Sequence, residues 1–211
     1  MKVAIIGAGN VGKALTTSFT RAGHDVTIAA AHPDHAADAA RELGATAAPS
    51  SSDAVSDADL VVLAVPTSAL DTVASELADD LAGKVVVDVS NRPTPDPAGP
   101  GTSIAEELQH RLPQSRVVKA FNTLFASRQA EPVVAGVSAD GFVAADDESA
   151  KKTVLDALDG LGFRPVDAGP LAAARTLEGM AWLNINRNLS GGTWQDAYVL
   201  VGPDTDVSSD N

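Results

Sequence analysis

Lys2-Val3-Ala4-Ile5-Ile6-Gly7-Ala8-Gly9-Asn10-Val11-Gly12 follows Met1, and the rest of the chain is read outward from it. An apolar run of strand length leads into glycines spaced Gly-x-Gly-x-x-Gly, then into the helix-periodic Val11, Ala14, Leu15, Ser18 and Phe19. That order is strand, turn, helix. The three glycines act separately. Gly7 permits the tight turn, Gly9 lets a pyrophosphate approach the backbone, and Gly12 lets the helix pack closely on its strand. The unpaired N–H groups of the helix's first turn, with its dipole, then face the phosphates. Dinucleotide binding across Gly7, Ala8, Gly9, Asn10, Val11 and Gly12 is the expectation.

Outward from this stretch, apolar runs alternate with helical patterns, which indicates an α/β fold around a mostly parallel sheet. Val26-Thr27-Ile28-Ala29-Ala30 is the second strand, and Pro33 suits the first turn of the helix after it. Leu60-Val61-Val62-Leu63-Ala64-Val65-Pro66 and Lys84-Val85-Val86-Val87-Asp88-Val89 are continuous apolar runs, as expected of strands buried on both faces. Residues 94–101 hold three prolines and two glycines and read as a loop at the ligand edge of the sheet. Residues 103–112 read as a helix, Arg116-Val117-Val118-Lys119-Ala120-Phe121 as a strand, and 124–137 as ambiguous. A strand over 141–147, a helix after it, and an edge strand over 162–169 that tolerates Pro165 follow. A helix from Pro170 to about residue 185 and an apolar segment of open type at 194–201 complete the pattern.

With 211 residues the chain fits one substantial domain, or a domain with a short appendage. Apolar residues make up 45% and aromatics 4%, so alanine and valine must do the filling between helices and sheet. The absence of cysteine excludes disulfides, thiolate catalysis and Cys-based metal sites. The opening apolar run is too short for a signal peptide, and no run reaches the roughly 18 residues that span a bilayer. A cytoplasmic, soluble protein is expected. The formal net charge of −13 disfavours nucleic acid and anionic membranes as partners. An aspartate-rich, lysine-poor surface also suits concentrated salt, where repulsion is screened; an ordinary acidic protein fits equally.

At the end of the second strand the chain reads Ala29-Ala30-Ala31-His32-Pro33-Asp34-His35. An NAD-binding fold usually places an acid there on the adenosine ribose. None stands at the tip, which leaves room for a 2′-phosphate, with His32 and His35 as the groups able to meet it. Proton chemistry has few candidates: no histidine lies where a nicotinamide should, and Tyr198 is near the end of the chain. Lys119 and Asn122 fall on opposite faces of a strand, so Lys119 reads as a strand-end lysine reaching solvent or a phosphate. Asn122 and Thr123, at the strand exit, are placed to touch ligand. Hydride passing between a nicotinamide and a flavin-like ring needs no deprotonated alcohol, so positioning would dominate catalysis.

The opening stretch, Val87-Asp88-Val89-Ser90-Asn91, Val118-Lys119-Ala120-Phe121-Asn122-Thr123 and Pro165-Val166-Asp167-Ala168-Gly169-Pro170-Leu171 together resemble the NADP oxidoreductases dependent on coenzyme F420, a deazaflavin. The likeness runs over residues 1–185. It implies a Rossmann-type doubly wound sheet over residues 1–168 and a small C-terminal helical part over 169–201; the polar composition from 202 reads as a disordered tail. It implies NADP(H) lying across residues 7–12 and the tip at Ala30, Ala31 and His32, with F420 or a flavin as the second redox partner. Val65, Pro66, Ser90, Asn91, Ala120, Phe121, Asn122, Thr123, Gly169, Pro170 and Leu171 would surround the ring pocket, with Asn122 and Thr123 positioning and no metal. Family members usually carry Ser and Arg where this chain has Ala30 and Ala31. A flavin or ferric reductase, a β-hydroxyacid dehydrogenase-like enzyme and a non-catalytic redox sensor are the other readings of the same cleft. Met180, Leu183 and Ile185 on the last helix would bury a face against the sheet or a second copy, so a homodimer is expected.

Overall fold

A computed structural model of the protein describes residues 1–92 and 101–202. The chain alternates strand and helix: β1 (Lys2–Ile6), α1 (Asn10–Arg21), β2 (Asp25–Ala29), α2 (Pro33–Leu43), β3 (Thr46–Ala47), α3 (Ser51–Ser56), β4 (Leu60–Leu63), α4 (Thr67–Glu76) and β5 (Val85–Asp88). The second part holds α5 (Ile104–Arg111), β6 (Arg116–Lys119), α6 (Ala126–Ala130), β7 (Val133–Val134), β8 (Val137–Ser138), β9 (Asp140–Ala145), α7 (Glu148–Gly160), β10 (Arg164–Gly169), a 3₁₀ turn at Leu171–Ala173 and α8 (Ala174–Leu189).

One sheet takes eight of the strands in the order β10-β9-β6-β5-β4-β1-β2-β3. From β3 to β6 every pairing is parallel, the Rossmann arrangement, whose ligand edge lies at the carboxyl ends of the strands. Side chains alternate across this sheet and feed two cores. Val3, Ile5, Ile28 and Val62 pack under Leu15 and Phe19 of α1 and Val154 and Leu158 of α7. Ala4, Ile6, Leu63 and Val117 pack on the other face under Val55, Leu70, Leu108 and Ala174. Covering both faces explains why β4 and β5 carry unbroken apolar runs. Helix starts are marked where the sequence placed polar caps: Ser50 caps α3, Asp147 caps α7, and Ser103 with Glu106 forms a capping box on α5.

β9 joins antiparallel to β6, with Val118 opposite Ala145 and Lys119 opposite Ala144. β10 runs parallel to β9 at the sheet edge, where Pro165 is tolerated. The ambiguous tract resolves into α6 and a β7–β8 hairpin turned by Ala135 and Gly136, both at positive φ. The last helix differs from the expectation: α8 begins after a 3₁₀ turn and ends at Leu189, and residues 193–200 are not helical. They return along the start of β9, where Asp140 donates its N–H to the Tyr198 carbonyl at 2.9 Å. Of the expected loop at 94–101 only Gly101 is described, and of the expected tail only Gly202; the rest of both expectations lies outside the described residues. Among the described residues no helix is long and apolar enough to cross a membrane.

Candidate functional site

The glycine loop closes the ligand end of β1. Gly7 sits at φ +119° and donates its N–H to the Ala29 carbonyl at 2.8 Å, so the turn is locked to β2. A side chain on Gly7 would collide with the Ala64 carbonyl, and one on Gly12 with the Gly7 carbonyl. Both glycines are therefore required by close backbone approach. Gly9 differs: a methyl group there would meet no atom within 4 Å. It caps α1 in an extended conformation, no side chain caps that helix, and its first turn carries no acid. Gly9 and Asn10 are exposed, Ala8 and Val11 partly so, and the unpaired donors of the first turn make an anion site.

Beside this loop, β2 ends at buried Ala29, followed by half-buried Ala30 and exposed Ala31. His32 is the N-cap of α2 without a capping hydrogen bond, and its ring meets that of His35 edge-on at 5.2 Å. Both are exposed, and no Lys or Arg stands between Val26 and Ala40. The two histidines are thus the side chains at this tip with a ring N–H to offer an anion.

At the exits of β4, β5 and β6 the predicted residues separate into two kinds. Val65 and Pro66 keep exposed surface, and Thr67 at the start of α4 donates its hydroxyl to the Asn91 carbonyl at 3.0 Å. Asn91 and Asn122 clasp each other: Asn91 Nδ2 donates to the Asn122 carbonyl at 3.0 Å, and Asn122 Nδ2 to Asn91 Oδ1 at 2.9 Å. Asn122 Nδ2 also donates to the Leu177 carbonyl of α8 at 3.0 Å. Ser90, Ala120, Phe121 and Thr123 are buried beneath this clasp rather than lining open space. Phe121 is wedged edge-on between Phe19 and Phe163.

Gly169 ends β10, and Pro170 and Leu171 follow it away from the clasp. β9 and β10 run against β6, and the register sets Gly169 beside Ala144 and Ala144 opposite Lys119, so Gly169 is level with the end of β6 but two strands away from it. Beyond it the chain turns back: Leu171 donates its N–H to Asp146 at 2.9 Å and is buried in the core that holds Leu108, Leu112 and Val117. α8 then leads back, so that the Leu177 carbonyl meets the clasp and Glu178 the residues beneath it.

Beneath the clasp lies a buried ionic cluster that the sequence pattern did not reveal. Lys119, fully buried rather than reaching solvent or phosphate, sits with Nζ 2.8 Å from Asp88 Oδ2 and 3.3 Å from Glu178 Oε1. It also donates to the Ser90 carbonyl. Asp88 Oδ1 accepts from the Ser90 N–H at 2.9 Å and its hydroxyl at 2.6 Å. Glu178 Oε1 accepts the Ile104 N–H at 2.8 Å, and its Oε2 lies 3.8 Å from Arg92 Nε. Burial pushes the Glu178 carboxyl above its ordinary range, with Lys119 and the Ile104 N–H opposing in part.

A family model described as NADP oxidoreductase, coenzyme F420-dependent, matches residues 2–92. The F420-dependent NADP reductase of Methanothermobacter thermautotrophicus is 30% identical over 213 residues, covering 90% of this chain and 90% of that protein. The chain belongs to the F420-dependent NADP oxidoreductase family. A crystal structure from Arthrobacter sp. FB24, provisionally named an F420-dependent NADP-reductase, matches with a TM-score of 0.85 at 28% identity, covering 96% of this chain and 100% of that one. Rat metalloreductase STEAP3 is 34% identical over 182 residues, 84% of this chain but 36% of that protein. The chain therefore spans about a third of that relative's length.

The site of this F420-dependent oxidoreductase family member suits a dinucleotide on its own geometry. The open space over Gly9 faces uncapped helix donors, and Asn122 Oδ1 is buried with no donor among the described residues, an acceptor that a ligand N–H would satisfy. The hollow lined by Lys2, Asp25, Thr46 and Asp57 lies at the starts of β1, β2 and β3, away from the motif. Among the described residues no group of three or more His, Asp or Glu side chains is arranged to hold a metal ion.

Proposed function

We propose that this protein transfers a hydride between NADP(H) and the deazaflavin coenzyme F420. The observation that carries the reading is the open, uncapped Gly9 turn above a buried βαβ unit, in a chain that belongs to the F420-dependent family. When bound, the two cofactors supply the hydride donor and acceptor themselves. The chain's part is to hold them. The N–H groups of α1 take the pyrophosphate, the tip from Ala30 to His35 takes the adenosine ribose and its 2′-phosphate, and Asn91 and Asn122 orient the nicotinamide end. Among the described residues no side chain at the β5 and β6 exits is placed to move a proton: Asp88 and Lys119 are sealed in the cluster. Positioning is then the main source of rate.

A second reading, a flavin or ferric reductase, is favoured by the 34% identity to the metalloreductase over most of this chain. Mixing the protein with NADPH and, in separate runs, F420, FMN and a ferric chelate, while following absorbance, distinguishes the two. Turnover confined to F420 supports the first reading, and turnover confined to flavin or iron selects the second. NADPH uptake with no acceptor reduced makes the protein a sensor. We further propose a homodimer, because Leu183 and Leu189 of α8 stand 63% and 65% exposed; a monomeric sedimentation profile at micromolar concentration overturns that.

A further inference from the structure

We propose that Asp88, Lys119 and Glu178 act as one positioning unit for the nicotinamide end of the bound dinucleotide, through Ser90, Asn91 and Asn122. The inference rests on the dinucleotide reading above and adds to it residues that touch no ligand.

The same three elements meet twice, once in the cluster and once in the clasp. From the exit of β5, Asp88 and Ser90 enter the cluster and Asn91 the clasp. From β6, Lys119 enters the cluster and Asn122 the clasp. From α8, Glu178 enters the cluster while the carbonyl of its neighbour Leu177 receives Asn122. Ser90 is the link. Its N–H and hydroxyl are taken by Asp88 and its carbonyl by Lys119, so every polar group of that residue is fixed from below. Asn91, the next residue, therefore leaves the strand in one orientation.

Lys119 and Asn122 serve the same side because the chain turns between them. Phe121 adopts φ +61°, a conformation a bulky residue rarely takes, and is held there by Phe19 and Phe163. That left-handed residue breaks strand alternation, and both side chains meet α8.

Stability gives a weak reason for such a cluster. Apolar side chains of similar volume often replace a buried ionic group at no loss, because desolvation offsets the attraction. This cluster carries two carboxylates against one fully buried ammonium, and burial already disfavours the Glu178 anion. What apolar replacements would not supply is a donor to the Ser90 carbonyl and an acceptor for its N–H.

The test uses the full chain with all three charges removed together, Asp88→Asn, Lys119→Met and Glu178→Gln, so that no unpaired charge stays buried. Two ligands are titrated: NADP+, and 2′,5′-ADP, which has the adenosine half and no nicotinamide. NADPH emission on binding is recorded alongside. The expected result is a Tm within a few degrees of wild type, 2′,5′-ADP affinity within twofold, NADP+ affinity at least tenfold weaker, and emission enhancement at least halved. Equal weakening of both ligands assigns the cluster a general structural role and overturns the proposal, as does retention of both affinities and the enhancement. Should the triple variant not fold, Glu178→Gln alone is measured, and a selective loss for NADP+ of threefold or more is required. If wild-type protein takes up neither ligand, the dinucleotide reading itself fails, an outcome separate from these.

Discussion

Gly9 and Gly12 lie three residues apart in one motif and face opposite constraints. A Cβ at Gly12 would enter the Gly7 carbonyl, which is main chain and fixed by β1, whereas one at Gly9 would enter open space. Gly12→Ala is expected to cost about 3 kcal/mol or more, lowering Tm by roughly 6–12 °C at this chain length. Gly9→Ala should cost under about 1 kcal/mol as a poorer helix cap, yet weaken NADP(H) binding at least tenfold by projecting a methyl into the phosphate approach. Thermal melts paired with calorimetric titration check both, and a Gly9→Ala variant with full affinity would show that the pyrophosphate lies elsewhere. At the β2 tip, His32 presents an imidazole where an arginine would present a charged, planar fork of N–H donors. His32→Arg is expected to raise the preference for NADP(H) over NAD(H) about tenfold in steady-state kcat/KM, with little change for NAD(H).

At the scale of elements, α8 is the piece that brings Leu177 to the clasp and Glu178 to Lys119, and its first turn is tied to α5. Arg175 donates to both oxygens of Glu106, with Nε at 2.8 Å, while Glu106 also closes the capping box on Ser103. The Arg175 hydrogen bonds, with the Ser103 N–H and hydroxyl, bring the Glu106 carboxyl from 4.5 down to about 2. A carboxyl depressed in the folded state stabilises above its unfolded value and loses that contribution as pH falls through the folded one. Glu106→Gln should therefore lower Tm by about 2–4 °C at pH 7, for a loss near 1 kcal/mol in a partly exposed cap and pair. The gap should narrow below pH 4.5 and close toward pH 2. A gap independent of pH would place the effect in packing instead.

The same elements show what was legible in the amino-acid order. The glycine spacing and the 3.6-residue period of α1 point to the first βαβ unit, since both are local. The direction of β9 is not legible: Asp140-Gly141-Phe142-Val143-Ala144-Ala145 is buried at every position, as a parallel strand would be. Its reversal comes from the connection before it, where a five-residue α6 and a hairpin replace a full crossover helix. That reversal sends the chain after Gly169 back along the sheet, so that Leu171 is buried with its N–H on Asp146. Lys119 departs from expectation for a related reason: its partner Asp88 is 31 residues away and meets it through sheet register, which no local pattern displays.

Over the whole molecule, the net charge of −13 sets the terms on which an anionic dinucleotide arrives. A helix N-terminus contributes about half a positive charge, and the β2 tip adds only His32 and His35, so long-range repulsion outweighs these attractions outside the cleft. Screening reaches about 10 Å at 0.1 M salt and about 3 Å at 1 M. Raising salt from about 0.02 to 0.5 M should then speed NADPH association by a few-fold to about tenfold, with dissociation changed far less. The opposite trend holds for sites built on lysine and arginine, where salt removes attraction. Stopped-flow records of NADPH emission at fixed pH give the sign directly. A rate that falls with salt would mean that local cations dominate the approach, and their place would then be outside residues 26–40.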